Sequence, residues 1–210
     1  MMSFFGTIKT AGVFQVKGKD GSLKPLVSMR VVDALGNTFD CQMWPDDAGQ
    51  AQLVQSMPQI HPRQLVQFEV AGYAVRPRKF KDGTEQLQLN LIITNVGFPN
   101  PQSAVVASVM TFHGTMKGGK AFPIKGGAST LLSFTTVDEL GNTWPCQMWS
   151  DDPQQAVLVP VIDSARRQPV QFEIASYAVR PRKFADGTEK PQVNFVVSRV
   201  SIPGLNIQAA

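Results

Sequence analysis

Residues 67–85 read QFEVAGYAVRPRKFKDGTE, and they return almost unchanged at residues 171–189 as QFEIASYAVRPRKFADGTE. Only three of these nineteen positions differ. A second block, LGNTFDCQMWPDD at residues 35–47, returns as LGNTWPCQMWSDD at residues 140–152, again with three differences. Each copy is about 100 residues long, which is the size of one domain and too long for the unit of a solenoid. The chain is therefore expected to be a duplicated globular domain.

The domain boundaries follow from how the two copies align. The offset between matching residues is 108 at the start of the copies and then 105 and 104, so short insertions separate the blocks. Insertions are tolerated in loops, so these breaks indicate loops. We predict an N-terminal domain at residues 1–97, a linker at residues 98–107 and a C-terminal domain at residues 108–210. Prolines and polar residues in the linker favour an extended spacer.

Composition excludes several classes of protein. Hydrophobic residues make up 43% of the chain and charged residues 17%, so the chain can bury a core. No apolar run reaches the roughly 18 residues of a membrane helix, and the first residues lack the pattern of a secretory signal. A cytoplasmic, nucleoid-associated protein without a membrane partner is expected. The two cysteines and two histidines are too few for a disulfide framework or a zinc site, so no metal or cofactor is expected.

Hydrophobic patterning predicts an all-β fold. In each copy, three strands precede a short helix and two strands follow it. The third strand alternates Phe39, Cys41 and Met43 with polar neighbours, which is the period of a half-buried strand. Aspartate pairs at residues 46–47 and 151–152 are predicted to cap the helices, and Gly72 indicates a bulge in the fourth strand. This order is that of the OB-fold, a five-stranded, partly open Greek-key barrel that binds oligonucleotides or oligosaccharides. The prediction is two tandem OB-folds.

The candidate binding site is the block Arg76-Pro77-Arg78-Lys79-Phe80, which returns as Arg180-Pro181-Arg182-Lys183-Phe184. Cations neutralise phosphates, and an aromatic ring can stack on an unpaired base. Both features therefore suit single-stranded nucleic acid. The alternative is a solvated hairpin whose phenylalanine packs against the barrel.

Other aromatic residues recur beside these blocks. Tyr73 and Tyr177 precede the basic blocks, and Trp44 and Trp149 close the third strands. Alternation places Trp44 opposite the apolar face of its strand, where it could stack on a base. A subunit interface would also use an exposed tryptophan. The paired aspartates could suggest a metal-dependent enzyme, but helix capping explains them better, and a non-enzymatic protein is expected.

The basic block resembles the fourth strand and hairpin of bacterial-type single-stranded DNA-binding proteins, which carry Gly-x-Leu-Arg-x-Arg-Lys-Trp. The resemblance implies phosphate contacts for the arginines and lysines of the block, and base stacking for Phe80 and Phe184. It implies the same stacking role for Trp44 and Trp149, whereas a register shifted by one residue would give that role to Phe39 and Trp144. The full set of expected DNA-binding residues is Trp44, Tyr73, Arg76, Arg78, Lys79, Phe80, Trp149, Tyr177, Arg180, Arg182, Lys183 and Phe184.

Members of this family act with four OB-folds, so the resemblance implies a homodimer of this two-domain chain. The expected function is sequence-independent binding of single-stranded DNA in support of replication, recombination or repair. The alternative is an OB-fold interaction or oligomerisation module without DNA affinity. The sequence ends IPGLNIQAA rather than in the family's acidic tip, so partner recruitment through such a tail is not expected.

Overall fold

The chain folds into two compact units, one of residues 3–109 and the other of residues 110–210 together with residues 1–2, in a computed structural model. The structure describes residues 2–45, 48–60, 63–80, 82–99, 110–124, 129–150, 156, 158–160, 162, 165–184 and 186–203. The linker predicted at residues 98–107 lies almost entirely outside the described residues, so its extended form stays a prediction.

The first unit is a five-stranded barrel with one helix. Its elements are β1 (Met2–Lys17), β2 (Leu23–Asp33), β3 (Thr38–Met43), α1 (Ala48–Ile60), β4 (Leu65–Lys79) and β5 (Glu85–Gly97). The strands lie in the order β2-β3-β5-β4-β1, and β1 pairs with β2 to close the barrel. The pairing of β3 with β5 is parallel, and the pairings of β2 with β3 and of β4 with β5 are antiparallel. This confirms the predicted OB-fold order, with the helix between the third and fourth strands.

The second unit repeats this barrel. Its strands are β6 (Met110–Pro123), β7 (Thr130–Val137), β8 (Thr143–Trp149), β9 (Pro169–Lys183) and β10 (Glu189–Ser201). They lie in the order β6-β7-β8-β10-β9, and β9 pairs with β6. The predicted helix of this copy and its capping aspartates fall mainly on residues outside the described ones, as do Asp46 and Asp47 of the first copy.

Aromatic side chains form the core of the first barrel. Phe4 stacks on Phe68 with ring centroids 5.0 Å apart and lies 5.5 Å from the ring of Phe39. The alternation predicted for β3 is confirmed, since Phe39, Cys41 and Met43 are all buried. Burial also raises the pKa of the Cys41 thiol. A neutral, buried thiol packs as a small hydrophobe and does not act as a nucleophile.

The fourth strand contains the predicted bulge. In β4, the pairing with β5 shifts register between Glu69 and Gly72. Val70 before the bulge pairs with Ile93, and Tyr73 after it pairs with Leu91. Both partners are buried. The inward face therefore changes from even-numbered to odd-numbered residues across the bulge.

Trp144 occupies the centre of the second barrel, where the first barrel has Phe39. Its ring lies 5.6 Å from Phe112 and 5.2 Å from Phe195, and it is fully buried. The indole Nε1 donates a hydrogen bond to Asp138 Oδ2 at 2.9 Å. Burial acts to raise the pKa of Asp138, but hydrogen bonds from the Asn142 and Trp144 side chains and from backbone amides outweigh it, so the pKa lies below its usual value. The indole of Trp144, which is larger than the phenyl ring of Phe39, can be buried because its N–H group is hydrogen-bonded to Asp138.

Replacing Trp144 with phenylalanine is expected to raise the pKa of Asp138, because the variant loses one donor to the carboxylate. A depressed pKa contributes stability above the unfolded-state value of about 3.9, and this contribution is lost as the pH falls through the folded-state pKa. The wild-type barrel should therefore lose stability more steeply below about pH 4 than Trp144→Phe does. NMR titration of the Asp138 carboxyl carbon measures the shift directly. Trp149→Phe, a change on the opposite face, should leave the Asp138 titration where it is; an equal shift in both variants would contradict the assignment.

Candidate nucleic-acid interface

The outward side chains of the first barrel line a polar groove. Residues that are paired across strands share a face. One such row crosses β1, β2, β3 and β5, and it consists of Thr10, Arg30, Asp40 and Asn90. The groove has a volume of about 620 Å³. The residues that line it are Thr10, Ser28, Met29, Arg30, Asp40, Gln42, Arg76, Pro77, Arg78, Lys79, Gln88 and Asn90. Four of them are cationic and one is acidic, so the groove favours an anionic ligand.

A hydrogen-bonded network connects the two sides of this groove. Arg30 Nε lies 3.3 Å from Asp40 Oδ1 in an ion pair. Gln88 Nε2 donates to the other carboxylate oxygen of Asp40, and Arg78 Nη1 donates to Gln88 Oε1 at 3.5 Å. The network holds Arg78 over the groove. Asp40 balances Arg30, so the remaining cations of the groove supply its excess positive charge.

The hairpin after β4 is held by its own turn. Phe80 N donates to Thr84 O at 2.8 Å, and Gly83 N donates to Phe80 O at 3.0 Å. Asp82 Oδ1 accepts from Thr84 Oγ1 at 2.7 Å and from Thr84 N at 2.9 Å. These bonds, the side-chain one first, hold the pKa of Asp82 below its usual value. Gly83 adopts a φ of +84°, a conformation that glycine adopts without the cost a Cβ would bring. The turn thereby fixes where Phe80 lies.

The basic block presents a cation and a ring as one unit in both copies. The Arg78 guanidinium carbon lies 5.4 Å from the centroid of Phe80, and Arg182 lies at the same 5.4 Å from Phe184. This is cation–π distance. The two rings remain 41% and 42% exposed. Part of each ring is therefore accessible to a ligand, and the stacking role of the two rings stays a prediction.

The second hairpin repeats the bonding of the first. Arg182 Nη1 donates to Gln192 Oε1 at 3.3 Å, and Asp186 Oδ1 accepts from Thr188 Oγ1 at 2.6 Å. A further cation, Lys190 Nζ, lies 5.7 Å from the Phe184 ring centroid. Arg180 pairs across the sheet with Gln192, as Arg76 does with Gln88. Lys79 pairs with Glu85, and Lys183 pairs with Glu189.

The two tyrosines are separated from the arginines. Tyr73 pairs with the buried Leu91 and Tyr177 with the buried Phe195, so both lie on the core-facing side of their strands. Arg76 pairs with Gln88 on the outward side. The bulge in β4 explains this placement, because odd-numbered residues such as Tyr73 face the core after it. The structure therefore does not bring the tyrosines to the surface that carries Arg76, Arg78 and Phe80.

The tryptophans that close the third strands are exposed. Trp44 is 47% exposed and Trp149 is 48% exposed, whereas Phe39 and Trp144 are buried. The predicted alternation is confirmed in both copies. The shifted register, in which Phe39 and Trp144 would stack on bases, is wrong because neither ring can be reached from solvent.

The exposed tryptophan and the hairpin lie at opposite ends of the second barrel's outer face. Gln147 lies beside Val196 in the parallel register, so Trp149 is level with residue 198 of β10. Arg182 pairs with Lys190. Residues 190 and 198 of β10, which mark the levels of Arg182 and Trp149, are eight residues apart. This spacing corresponds to about 26 Å along a strand. A ligand that contacts both must be extended.

The second barrel also has a groove, lined by its first two strands. Its volume is about 510 Å³, and its lining residues are Lys117, Gly118, Gly119, Lys120, Phe122, Ser133, Phe134 and Thr135. In the sequence alignment of the copies, Thr135 and Pro145 stand where the first barrel has Arg30 and Asp40. The second barrel therefore lacks that ion pair.

A pair of exposed phenylalanines that recurs in both barrels was not predicted as part of the site. Phe14 is 56% exposed and Phe122 is 48% exposed, and they occupy equivalent positions of β1 and β6. Their recurrence can be read from the sequence, because Phe14 and Phe122 are separated by 108 residues, the same offset that relates the starts of the two copies. Glycines in both strands obscured the alternation that would have placed them outward.

Within the described residues, no group of three or more histidine, cysteine, aspartate or glutamate side chains could hold a metal ion. No helix in this part of the chain has the length and apolar character needed to cross a membrane.

Comparisons with known proteins agree with the fold. No protein-family model and no curated protein sequence matches the chain. A deletion mutant of the single-stranded DNA binding protein from Thermus aquaticus superposes with a TM-score of 0.52 at 12% identity, covering 96% of this chain and 93% of that one. The wild-type form of that protein gives a TM-score of 0.47 at 12% identity, covering 100% and 95%. The first likeness shows the shared fold: this chain is an all-β protein of two tandem OB-folds.

Proposed function

We propose that this chain is a non-enzymatic protein that binds single-stranded DNA without sequence preference through the outer face of each barrel. The observation that carries the proposal is the unit formed by Arg78 and Phe80, which Arg182 and Phe184 repeat at the same 5.4 Å separation. A guanidinium beside an exposed ring offers one group for a phosphate and one for a base in adjacent positions.

The cations supply the sequence-independent part of the affinity. Arg76 and Arg78 line the first groove together with Lys79, and Arg180, Arg182 and Lys183 occupy the equivalent strand of the second barrel. Each cation that neutralises a phosphate releases a counterion, so binding should weaken as salt rises.

The exposed rings supply the preference for single strands. Phe80 and Trp44 in the first barrel, and Phe184 and Trp149 in the second, are open to solvent. Every base has a π-face, so stacking on these rings tolerates any sequence. Bases paired in a duplex are already stacked on each other and cannot reach the rings. The half-buried tyrosines are left out of this contact surface.

The shared fold supports the same conclusion, since the Thermus aquaticus neighbour is named for binding single-stranded DNA. We propose that this chain is a two-domain relative of the bacterial-type single-stranded DNA-binding proteins. By the same reasoning it would act as a homodimer with four OB-folds, in DNA replication, recombination or repair.

Titration of the protein with oligo-dT at several salt concentrations tests the proposal. Tight binding at low salt with preference over duplex is the expected result. The variant Arg78→Ala/Arg182→Ala should bind more weakly, and the log–log salt slope should fall in magnitude by about 0.7 for each lost phosphate contact. The matched control is Arg63→Ala/Arg167→Ala, an equivalent pair of exposed arginines that line neither groove. Its slope should be close to that of the wild type. Absence of binding at low salt would overturn the proposal and leave a protein-interaction module as the explanation.

A further inference from the structure

A row of apolar side chains crosses the outer face of the second barrel, at the end away from the hairpin. Phe122 on β6 pairs with Leu131 on β7, and Leu131 pairs with Trp149 on β8. Directly paired residues share a face and have Cβ atoms about 5 Å apart. The three side chains therefore form a strip about 10 Å wide across three strands, with Phe122 and Trp149 both about half exposed. We call this row the β6–β8 ladder.

The first barrel has the same row. Phe14 on β1 pairs with Leu26 on β2, and Trp44 directly follows Met43, which pairs with Val27 next to Leu26. The residues around the two phenylalanines differ between the copies, TAGVFQV in one and GGKAFP in the other, but the ring occurs in both. In each barrel, two solvent-exposed rings thus flank a leucine. Their apolar surface faces solvent and is not packed in the core of the barrel.

The surroundings of the β6–β8 ladder are cationic and polar. Lys120 pairs with Ser133, which pairs with Gln147, and this row lies two residues from the ladder on the same face. None of the eight residues that line the adjacent groove is acidic, and Lys117 and Lys120 are both among them. Lys120 and Phe122 also have the i, i+2 spacing of Arg182 and Phe184. The same juxtaposition of cation and exposed ring thus occurs at both ends of the face.

We propose that the β6–β8 ladder is a second base-stacking subsite for single-stranded DNA, in which Phe122 and Trp149 stack on bases and Lys120 contacts the adjoining phosphate. The inference rests on the function proposed above. It assigns binding roles to Phe122, Leu131 and Lys120. The DNA strand then runs along the outer face for about 26 Å, from the hairpin to the ladder.

The equivalent row of the first barrel is the weaker subsite. Gly12 stands where the second barrel has Lys120, so the cation is missing. A Cβ placed on Gly12 would lie 3.3 Å from Phe14 Cε2, which means that the Phe14 ring packs over the glycine backbone. The Phe14 ring itself is no less exposed than that of Phe122, at 56% against 48%, so the missing cation is the reason that this subsite is expected to be weaker.

Affinity measurements on single variants test this inference. The probe is an oligo-dT of about 16 nucleotides, the upper end of the range that one OB-fold covers. Phe122→Ala is expected to weaken binding by about 5-fold or more, the effect of losing one stacked base, and Phe14→Ala by less. The matched control is Leu140→Ala, which removes another exposed apolar side chain, in the β7–β8 turn. A 5-iododeoxyuridine oligomer should in addition photo-crosslink to peptides that contain Phe122 or Trp149.

The outcomes separate the inference from the function on which it rests. If Arg182→Ala/Phe184→Ala weakens binding but Phe122→Ala matches Leu140→Ala and no crosslink maps to the β6–β8 ladder, the ladder inference is overturned and DNA binding stands. If the wild type does not bind at low salt, both fail. If Phe122→Ala retains DNA affinity but sediments as a smaller species than the wild type, the ladder is an interface between copies of the chain, which also overturns the inference.

Discussion

The variant Trp44→Ala/Phe80→Ala/Trp149→Ala/Phe184→Ala is expected to bind oligo-dT at least about 100-fold more weakly than the wild type. Truncation of one stacking residue costs about 1–3 kcal/mol per base, and 100-fold corresponds to about 2.7 kcal/mol. Four truncations should exceed this value even if their effects are not additive. All four rings are 41–48% exposed, so the variant should remain folded. Fluorescence anisotropy of labelled oligo-dT measures the loss, with circular dichroism as the check on folding.

The salt dependence of this variant distinguishes lost stacking from lost charge. Removing rings takes away no cation, so the log–log slope should stay close to that of the wild type while the affinity falls at every salt concentration. The variant Arg78→Ala/Arg182→Ala should show the complementary pattern, a smaller slope. An affinity unchanged by the loss of all four rings would show that bases do not stack on them.

Alternation made part of this site predictable. The pattern Phe39, Cys41 and Met43 in a half-buried strand places Trp44 outward, and the buried and exposed fractions agree. The order of strands and helix likewise predicted the OB-fold, because it can be read from local periodicity. Both predictions depend on residues that are close together in the sequence.

Features that depend on register between distant strands were not predictable. The bulge at Gly72 was predicted, but its effect on Tyr73 needs the pairing with Leu91, which shows that the inward face changes there. The contact from Gln88 to Asp40 joins residues 48 positions apart. A duplicated sequence identifies which residues recur, as it did for both tyrosines, but recurrence does not say which face of the barrel they occupy.

Replacing Trp144 with alanine is expected to destabilise the second barrel by about 3–5 kcal/mol, the range for removing a large aromatic side chain from a core. The indole is fully buried, lies against Phe112 and Phe195, and donates to Asp138. Denaturant unfolding followed by circular dichroism should show this barrel unfolding at lower denaturant concentration. The first barrel, with Phe39 at this position, is unaltered, so a separate transition at higher concentration is expected.

Trp149→Ala is the matched control, because it removes the same side chain from the same strand five residues later. Its indole is 48% exposed, so its loss should change the free energy of unfolding by no more than about 0.5 kcal/mol. Its affinity for oligo-dT should nevertheless fall, whereas Trp144→Ala should bind normally under conditions in which its barrel is folded. The two tryptophans thus separate stability from binding within one strand. Equal stability losses in the two variants would mean that Trp149 packs against protein rather than lying open to a base, and the stacking assignment for the third strand would then have to be abandoned in both barrels.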